Sequence, residues 1–294
     1  MQRSGIEWTD ATWNPVRGCT RVSEGCRHCY AERISARFSG PGLPYEGLAH
    51  TVQGEPRWTG EVRLIERHLG DPLRWKTPQR IFVNSMSDLF HEKLSDRDID
   101  RVFGVMAMAP QHTFQVLTKR PQRMREYVGD GGLGPSYRVW LEACSPVAMK
   151  WPFPHVWLGT SVENQAAAQT RIPELLMTPC AVRFVSVEPL LGRVDLRPWL
   201  HGLQWVITGG ESGPGARPMH PAWVREIRDA CLESGVPFFF KQWGEYQPVE
   251  TAYGPGVEAG GFVRVGKGKA GRWLDDRTWD EFPRAAGVTL VEIE

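Results

Sequence analysis

The sequence predicts an α/β fold built on a mainly parallel sheet, and three observations predict it. Short apolar runs rich in β-branched and aromatic residues recur at Ile81–Asn84, Phe114–Leu117, Val156–Gly159, Val182–Val185, Trp205–Thr208 and Pro237–Phe240. Each is separated from the next by a stretch long enough for an amphipathic helix. The runs are apolar on both faces rather than alternating, which implies strands covered by helices on a parallel sheet.

Taken in order, the first helix is expected over Tyr30–Phe38, followed by a Gly/Pro-rich break at Ser39–Pro56 that reads as a loop. After the strand at Ile81, Ser95 is placed to cap a helix with Asp98 at the acidic position of a capping box and Ile99, Val102, Phe103 and Met106 on its apolar side. Pro121 opens another helix after the strand at Phe114, and a second glycine-rich break at Gly129–Pro135 begins an insertion reaching Pro154. Pro221–Ser234 places Val224, Ile227 and Cys231 at helical spacing, and Gly235 stops it just before Val236–Phe240. The expected organisation is a unit at 1–244 with insertions near 39–79 and 129–154, and an extension at 245–294 that packs through Trp273 and Trp279.

At 294 residues the chain can bury a sizeable core, and a formal charge of +1 argues against wholesale electrostatic binding of nucleic acid while leaving room for a local basic groove. There is no secretory signal and no apolar stretch long enough to span a bilayer, so a cytoplasmic location and no membrane partner are expected. Six cysteines in a reducing compartment favour thiolate chemistry over disulfides. Cys144, Cys180 and Cys231 lie among apolar neighbours and read as inert thiols.

Cys19, Cys26 and Cys29 are different, because they share one loop immediately ahead of the first helix. Three thiolates on one loop can hold three irons of a [4Fe–4S] cluster and leave the fourth open, and a structural zinc completed by His28 or a distant residue is the alternative. With its strand–helix rhythm, the chain resembles the radical S-adenosylmethionine (SAM) enzymes, and more closely a phage-associated three-cysteine family on that fold. The pieces that carry the resemblance are Ile6–Pro15, Cys29–Arg33, Asn84–Phe90, Leu117–Pro121, Gly159–Glu163, Ser186–Leu190 and Thr208–Ser212. Six residues separate Cys19 from Cys26 where the commonest superfamily pattern has three, and the spacing from Cys26 to Cys29 matches.

The resemblance implies a partial parallel (β/α) barrel with a C-terminal extension, a [4Fe–4S] cluster on Cys19, Cys26 and Cys29, SAM as cosubstrate and a reductive electron donor as partner. It also implies SAM-binding roles for Asn84, Ser85, Ser87 and Asp88 after the strand at Ile81, where a turn with a helix N-cap is the plainer reading. Lys119 and Arg120 end the next strand as a cationic pair that can hold the SAM carboxylate or a substrate phosphate, or simply be solvated. Ser161 and Glu163, Ser186 and Glu188, and Glu211 and Ser212 follow successive strands, which would gather carboxylates at one barrel mouth. Each of these acids can instead cap a helix or pair with an arginine. Gly209 and Gly210 permit close backbone approach to adenine or ribose. Glu188, Glu211 and Lys241 are the expected catalytic residues, and Trp243 either stacks on a base or packs in the core. The expected substrate is a nucleic-acid base or a nucleotide; a small metabolite, a peptide, or a non-catalytic metal-stabilised binding role are the alternatives.

Overall fold

The computed structural model describes residues 4–129, 151–249 and 261–283. Seven strands form one sheet, in chain order β1 Ala11–Trp13, β2 Arg80–Val83, β3 Thr113–Thr118, β4 Val156–Ser161, β5 Val182–Val187, β6 Trp205–Gly209 and β7 Phe238–Gln242. Every neighbouring pair is parallel and the spatial order equals the chain order. With no reversal of strand order, right-handed crossovers carry all the helices to one face and the other face is free to curl upon itself. The curl is visible in Trp8, whose ring lies 4.7 Å from Phe82 on β2, 6.4 Å from Phe184 on β5 and 6.1 Å from Trp205 on β6. The result is a parallel half-barrel.

The longer helices among the described residues are α1 Tyr30–Arg37, α2 Asp96–Ala107, α3 Pro121–Val128, α4 Gln165–Leu176 and α5 Pro221–Ser234. Ser95 accepts the Asp98 amide as the N-cap of α2, and Gly235 ends α5 in the left-handed conformation, as the sequence leads one to expect. All six predicted strands are present, and β1 is an addition: three residues are too few to show a pattern. The predicted loop at Ser39–Pro56 is partly a hairpin, Ala49–Val52 with Glu55–Trp58. Its turn residues Gln53 and Gly54 both have positive φ, 50° and 81°, the geometry that joins twisted antiparallel strands. The predicted insertion at 129–154 and Cys144 fall largely or wholly outside the described residues.

Past residue 244 the chain covers the outer edge of β7. Trp243 donates its amide to the Gly271 carbonyl (3.1 Å), and Phe240 donates to that of Trp279 (2.9 Å). An otherwise exposed sheet edge is thereby paired. Trp279 is buried as expected, but Trp273 is 65% exposed. Phe282 closes the base of the half-barrel, 5.1 Å from Trp205 and 5.4 Å from Phe239, with Arg80 over its ring at 4.1 Å. Among the described residues no helix is long and apolar enough to cross a membrane.

Candidate functional site

Along each strand the curled inner face changes from apolar to polar. Its residues run Trp157, Gly159, Ser161 on β4; Val182, Phe184, Ser186 and then Glu188 from β5; and Phe239, Lys241 on β7. The period of two puts successive members of each series on one face. Gly159 leaves the space that the Phe184 ring takes, since a Cβ there would meet that ring at 2.6 Å. The aromatic end makes a dry floor around Trp8 and Trp205, and the polar end opens at the C-terminal edge of the sheet, where parallel α/β sheets carry their sites.

A cavity of about 210 Å³ occupies this mouth. It is lined by Cys19, Cys26 and Cys29 and by Asn84, Ser85, Ser87, Asp88, Lys119, Ser161, Glu188, Gly210, Glu211 and Lys241. Two predicted site residues do not reach it. Glu163 is buried behind the loop, paired with Arg171 (2.9 Å) and packed against Gly25. Gly209 backs the Glu188 and Lys241 side chains. Gly210 does permit a close backbone approach, but the approach is internal: a Cβ there would lie 2.0 Å from the Trp243 carbonyl oxygen. Trp243 is a core residue whose indole donates to the Trp273 carbonyl (2.7 Å), so it is not a stacking platform at the mouth.

The cysteine loop follows β1 and is held from several sides. Gly18 enters it with φ of +92° against the Glu61 carbonyl. Arg120 donates to Thr20 Oγ1 (2.6 Å), Asp88 (3.1 Å) and Glu92 (2.7 Å). Arg217 grips Glu211 through two guanidinium bonds and its backbone amide, and reaches the Glu24 carbonyl at 2.9 Å. Glu32 on α1 accepts from Arg21 (2.8 Å) and from the Trp58 amide (2.9 Å), which ties the loop to the hairpin. Arg217, Glu32 and Arg21 were absent from the sequence expectation, and Arg120, expected there as half of a cationic pair for a carboxylate or phosphate, is engaged by Thr20, Asp88 and Glu92 instead. Arg21 lies within the cysteine run and Arg120 just after a strand, whereas nothing local marks Glu32 or Arg217.

The three thiols are free. Burial pushes Cys19 up to about 12, with the Asp88 carboxylate adding to the rise and the Arg120 guanidinium opposing it. Burial raises Cys29 too, opposed by the Glu32 and Ala31 amides at the start of α1 and by the Lys119 ammonium. Thiolates bound to metal would gain the same help from those groups. Among the described residues no three His, Cys, Asp or Glu side chains are arranged around a single ion. Ligands of three different irons would not converge on one point either. The donor set of three thiols on one loop therefore suits a cluster, and further groups at the mouth have unspent capacity. Asn84, in the left-handed region at φ 60°, has a buried amide nitrogen without a partner among the described residues. Lys119 has no ion pair among the described residues, and Ser161 stands in register beside Ser186 with both side chains on the inner face.

Fold and site together define a parallel half-barrel α/β protein with a cysteine loop at its mouth. Within that class the chain belongs to the family described as protein of unknown function (DUF5131), which matches residues 3–283. No curated protein and no solved structure matches the chain.

Proposed function

We propose that this chain is a radical SAM enzyme that modifies or repairs a nucleic-acid base or a nucleotide-derived substrate. The observation that carries the proposal is the convergence of Cys19, Cys26 and Cys29, on the loop after β1, with unpartnered polar groups around one cavity at the mouth of a parallel half-barrel. Cys19, Cys26 and Cys29 would hold three irons of a [4Fe–4S] cluster. When bound and reduced by an electron donor, the cluster supplies the electron that splits SAM and generates a hydrogen-abstracting radical.

The residues of the chain bind, orient and exclude water. Lys119 offers a positive charge to the SAM carboxylate, while Asn84, Ser161 and Ser186 offer neutral hydrogen-bonding groups. The aromatic floor keeps solvent from below, which suits a radical. Glu188 and Lys241, joined at 2.5 Å on the β5–β7 side of the cavity, face the space left for a substrate. An acid and a cation side by side match the mixed donors and acceptors of a base bearing a sugar or phosphate, and a base inside a strand would have to be flipped to reach them. Glu211 is engaged by Arg217 and acts on the loop rather than on a ligand.

The test is anaerobic reconstitution with iron and sulfide, then reduction in the presence of SAM. The expected result is about four irons per chain and formation of 5′-deoxyadenosine, with serine at any of the three loop cysteines abolishing both. Stoichiometric zinc in protein purified without oxygen, with no uptake of iron, would overturn the proposal.

A further inference from the structure

Helix α1 leaves the cysteine loop with a face that nothing in the described structure covers. Tyr30, Ile34 and Phe38, the last at its C-cap, recur every four residues and are 40%, 41% and 41% exposed. Four-residue spacing puts them in one stripe. Arg33 and Arg37 form the adjacent stripe. Among the described residues neither has a carboxylate partner: Arg33 rests against the backbone of Gly213, and Arg37 lies over the Phe38 ring at 5.6 Å. Aromatic and aliphatic surface beside two uncompensated guanidinium groups is an unusual pairing on a protein whose arginines are mostly matched to acids.

The stripe also connects two cavities. Tyr30 lines the cysteine cavity, and Ile34 lines a second one of about 530 Å³ beside β1. Ser85 and Met86 belong to both walls, and the Tyr30 hydroxyl donates to the Ser85 carbonyl (2.5 Å) at that partition. The second cavity holds Arg17, which has no carboxylate partner among the described residues and lies over the Tyr45 ring at 5.1 Å, with Trp75 on another wall. Among the described residues Asp71 is its one acid, already shared by His68 (3.0 Å) and Arg74. Both the stripe and the chamber beyond it therefore offer rings and positive charge together.

We infer that the α1 face is the track for a single-stranded nucleic acid, with phosphates on Arg33 and Arg37, bases against Tyr30, Ile34 and Phe38, and a neighbouring nucleotide in the Arg17 cavity. The chemistry fits because stacking platforms combined with backbone-tracking cations are how single strands are held without sequence readout. A net charge of +1 requires the attraction to be local, and Arg17, Arg33 and Arg37 are local. A duplex would not present unstacked bases to the rings. The inference rests on the proposed nucleic-acid substrate and says where that substrate's flanking nucleotides lie.

The experiment is fluorescence anisotropy of a labelled single-stranded 12-mer on the full chain, prepared anaerobically, across a salt series. The wild type is expected to bind at low salt. Arg33→Glu with Arg37→Glu should weaken binding at least tenfold and lower the salt slope by about 1.4, about 0.7 for each phosphate of a single strand that no longer meets an arginine. Phe38→Ala should weaken binding by about fivefold or more without changing that slope, and Arg193→Glu, elsewhere on the surface, should do neither. Thermal melts of each variant check that folding is unaffected. Absence of wild-type binding, equal binding of the double reversal, or tighter binding of duplex than of single strand would overturn the track. Iron content and 5′-deoxyadenosine formation without oligonucleotide are read on the same samples. A protein that cleaves SAM but ignores oligonucleotide sinks the track and leaves the radical chemistry standing, whereas one that binds oligonucleotide through Arg33 and Arg37 without loading iron does the reverse.

Discussion

Two carboxylate–cation pairs flank the cysteine loop, and they are built differently. Asp88 and Arg120 are each 7% exposed in their side chains, and four donors fill the Asp88 carboxylate: Thr118 Oγ1, the Phe90 and Lys119 amides, and Arg120. Glu188 and Lys241 are 21% and 13% exposed, and Glu188 accepts one bond, leaving its second oxygen without a partner among the described residues. Both acids follow a strand and both line the cavity. The difference shows that position after a strand does not separate a supporting acid from a ligand-facing one; the number of donors already spent on it does.

The largest effect that can break this comparison is at Asp88. Its removal leaves Arg120 buried without its main partner, which costs about 3–5 kcal/mol for such pairs. Asp88→Ala is expected to lower the melting temperature sharply and to reduce iron loading, because Arg120 also anchors Thr20 beside Cys19. An Asp88→Ala protein that melts like the wild type yet binds SAM poorly would reassign Asp88 as a ligand to SAM.

Glu188 and Lys241 should behave in the opposite way. Lys241→Ala is expected to cost roughly 1 kcal/mol or less in stability, as for a partly solvated pair. It is expected to weaken nucleotide or oligonucleotide binding about tenfold while iron content and SAM cleavage without substrate stay near wild type. Calorimetric titration of nucleotide alongside a thermal melt makes the check. A large loss of stability with unchanged binding would place this pair with Asp88 and Arg120.

The sequence carries one of these readings better than the other. The strands are visible as short runs apolar on both faces, and Ser161, Ser186, Glu188 and Lys241 as polar residues at or just past their C-terminal ends, so the parallel sheet and its mouth follow from pattern. Burial partners do not follow from pattern. Glu163 looks like Glu188 in the chain, and only the packing of α4 brings Arg171 to it. Of the two readings open for Trp243 the structure takes the core one, with its amide paired to Gly271 and its indole to Trp273, while Trp273 itself stays exposed where packing was expected. Such long-range pairings leave no local period to read.

The smallest expected effect concerns His91, which extends the Asp88 side. Its Nδ1 accepts the Lys93 amide (3.2 Å), so the neutral ring carries its proton on Nε2 and donates to Thr20 Oγ1 (3.0 Å). Burial, helped by the positive charge of Arg120, holds the imidazole below its ordinary value of 6.5. A folded-state pKa below the unfolded one gives stability that is fully present above about 6.5 and is lost as pH falls toward the folded value. Protonating Nδ1 also removes the acceptor for Lys93. The expected loss is at most about 1.4 kcal/mol at one unit below the unfolded pKa. His91→Gln should flatten that part of the pH dependence, and Glu188→Gln should leave it unchanged. Denaturant melts between pH 7.5 and 5.5 provide the measurement. An identical acid slope in wild type and His91→Gln would mean that the Asp88 side draws no pH sensitivity from this imidazole, and that its contrast with the Glu188 side lies in burial and donor count alone.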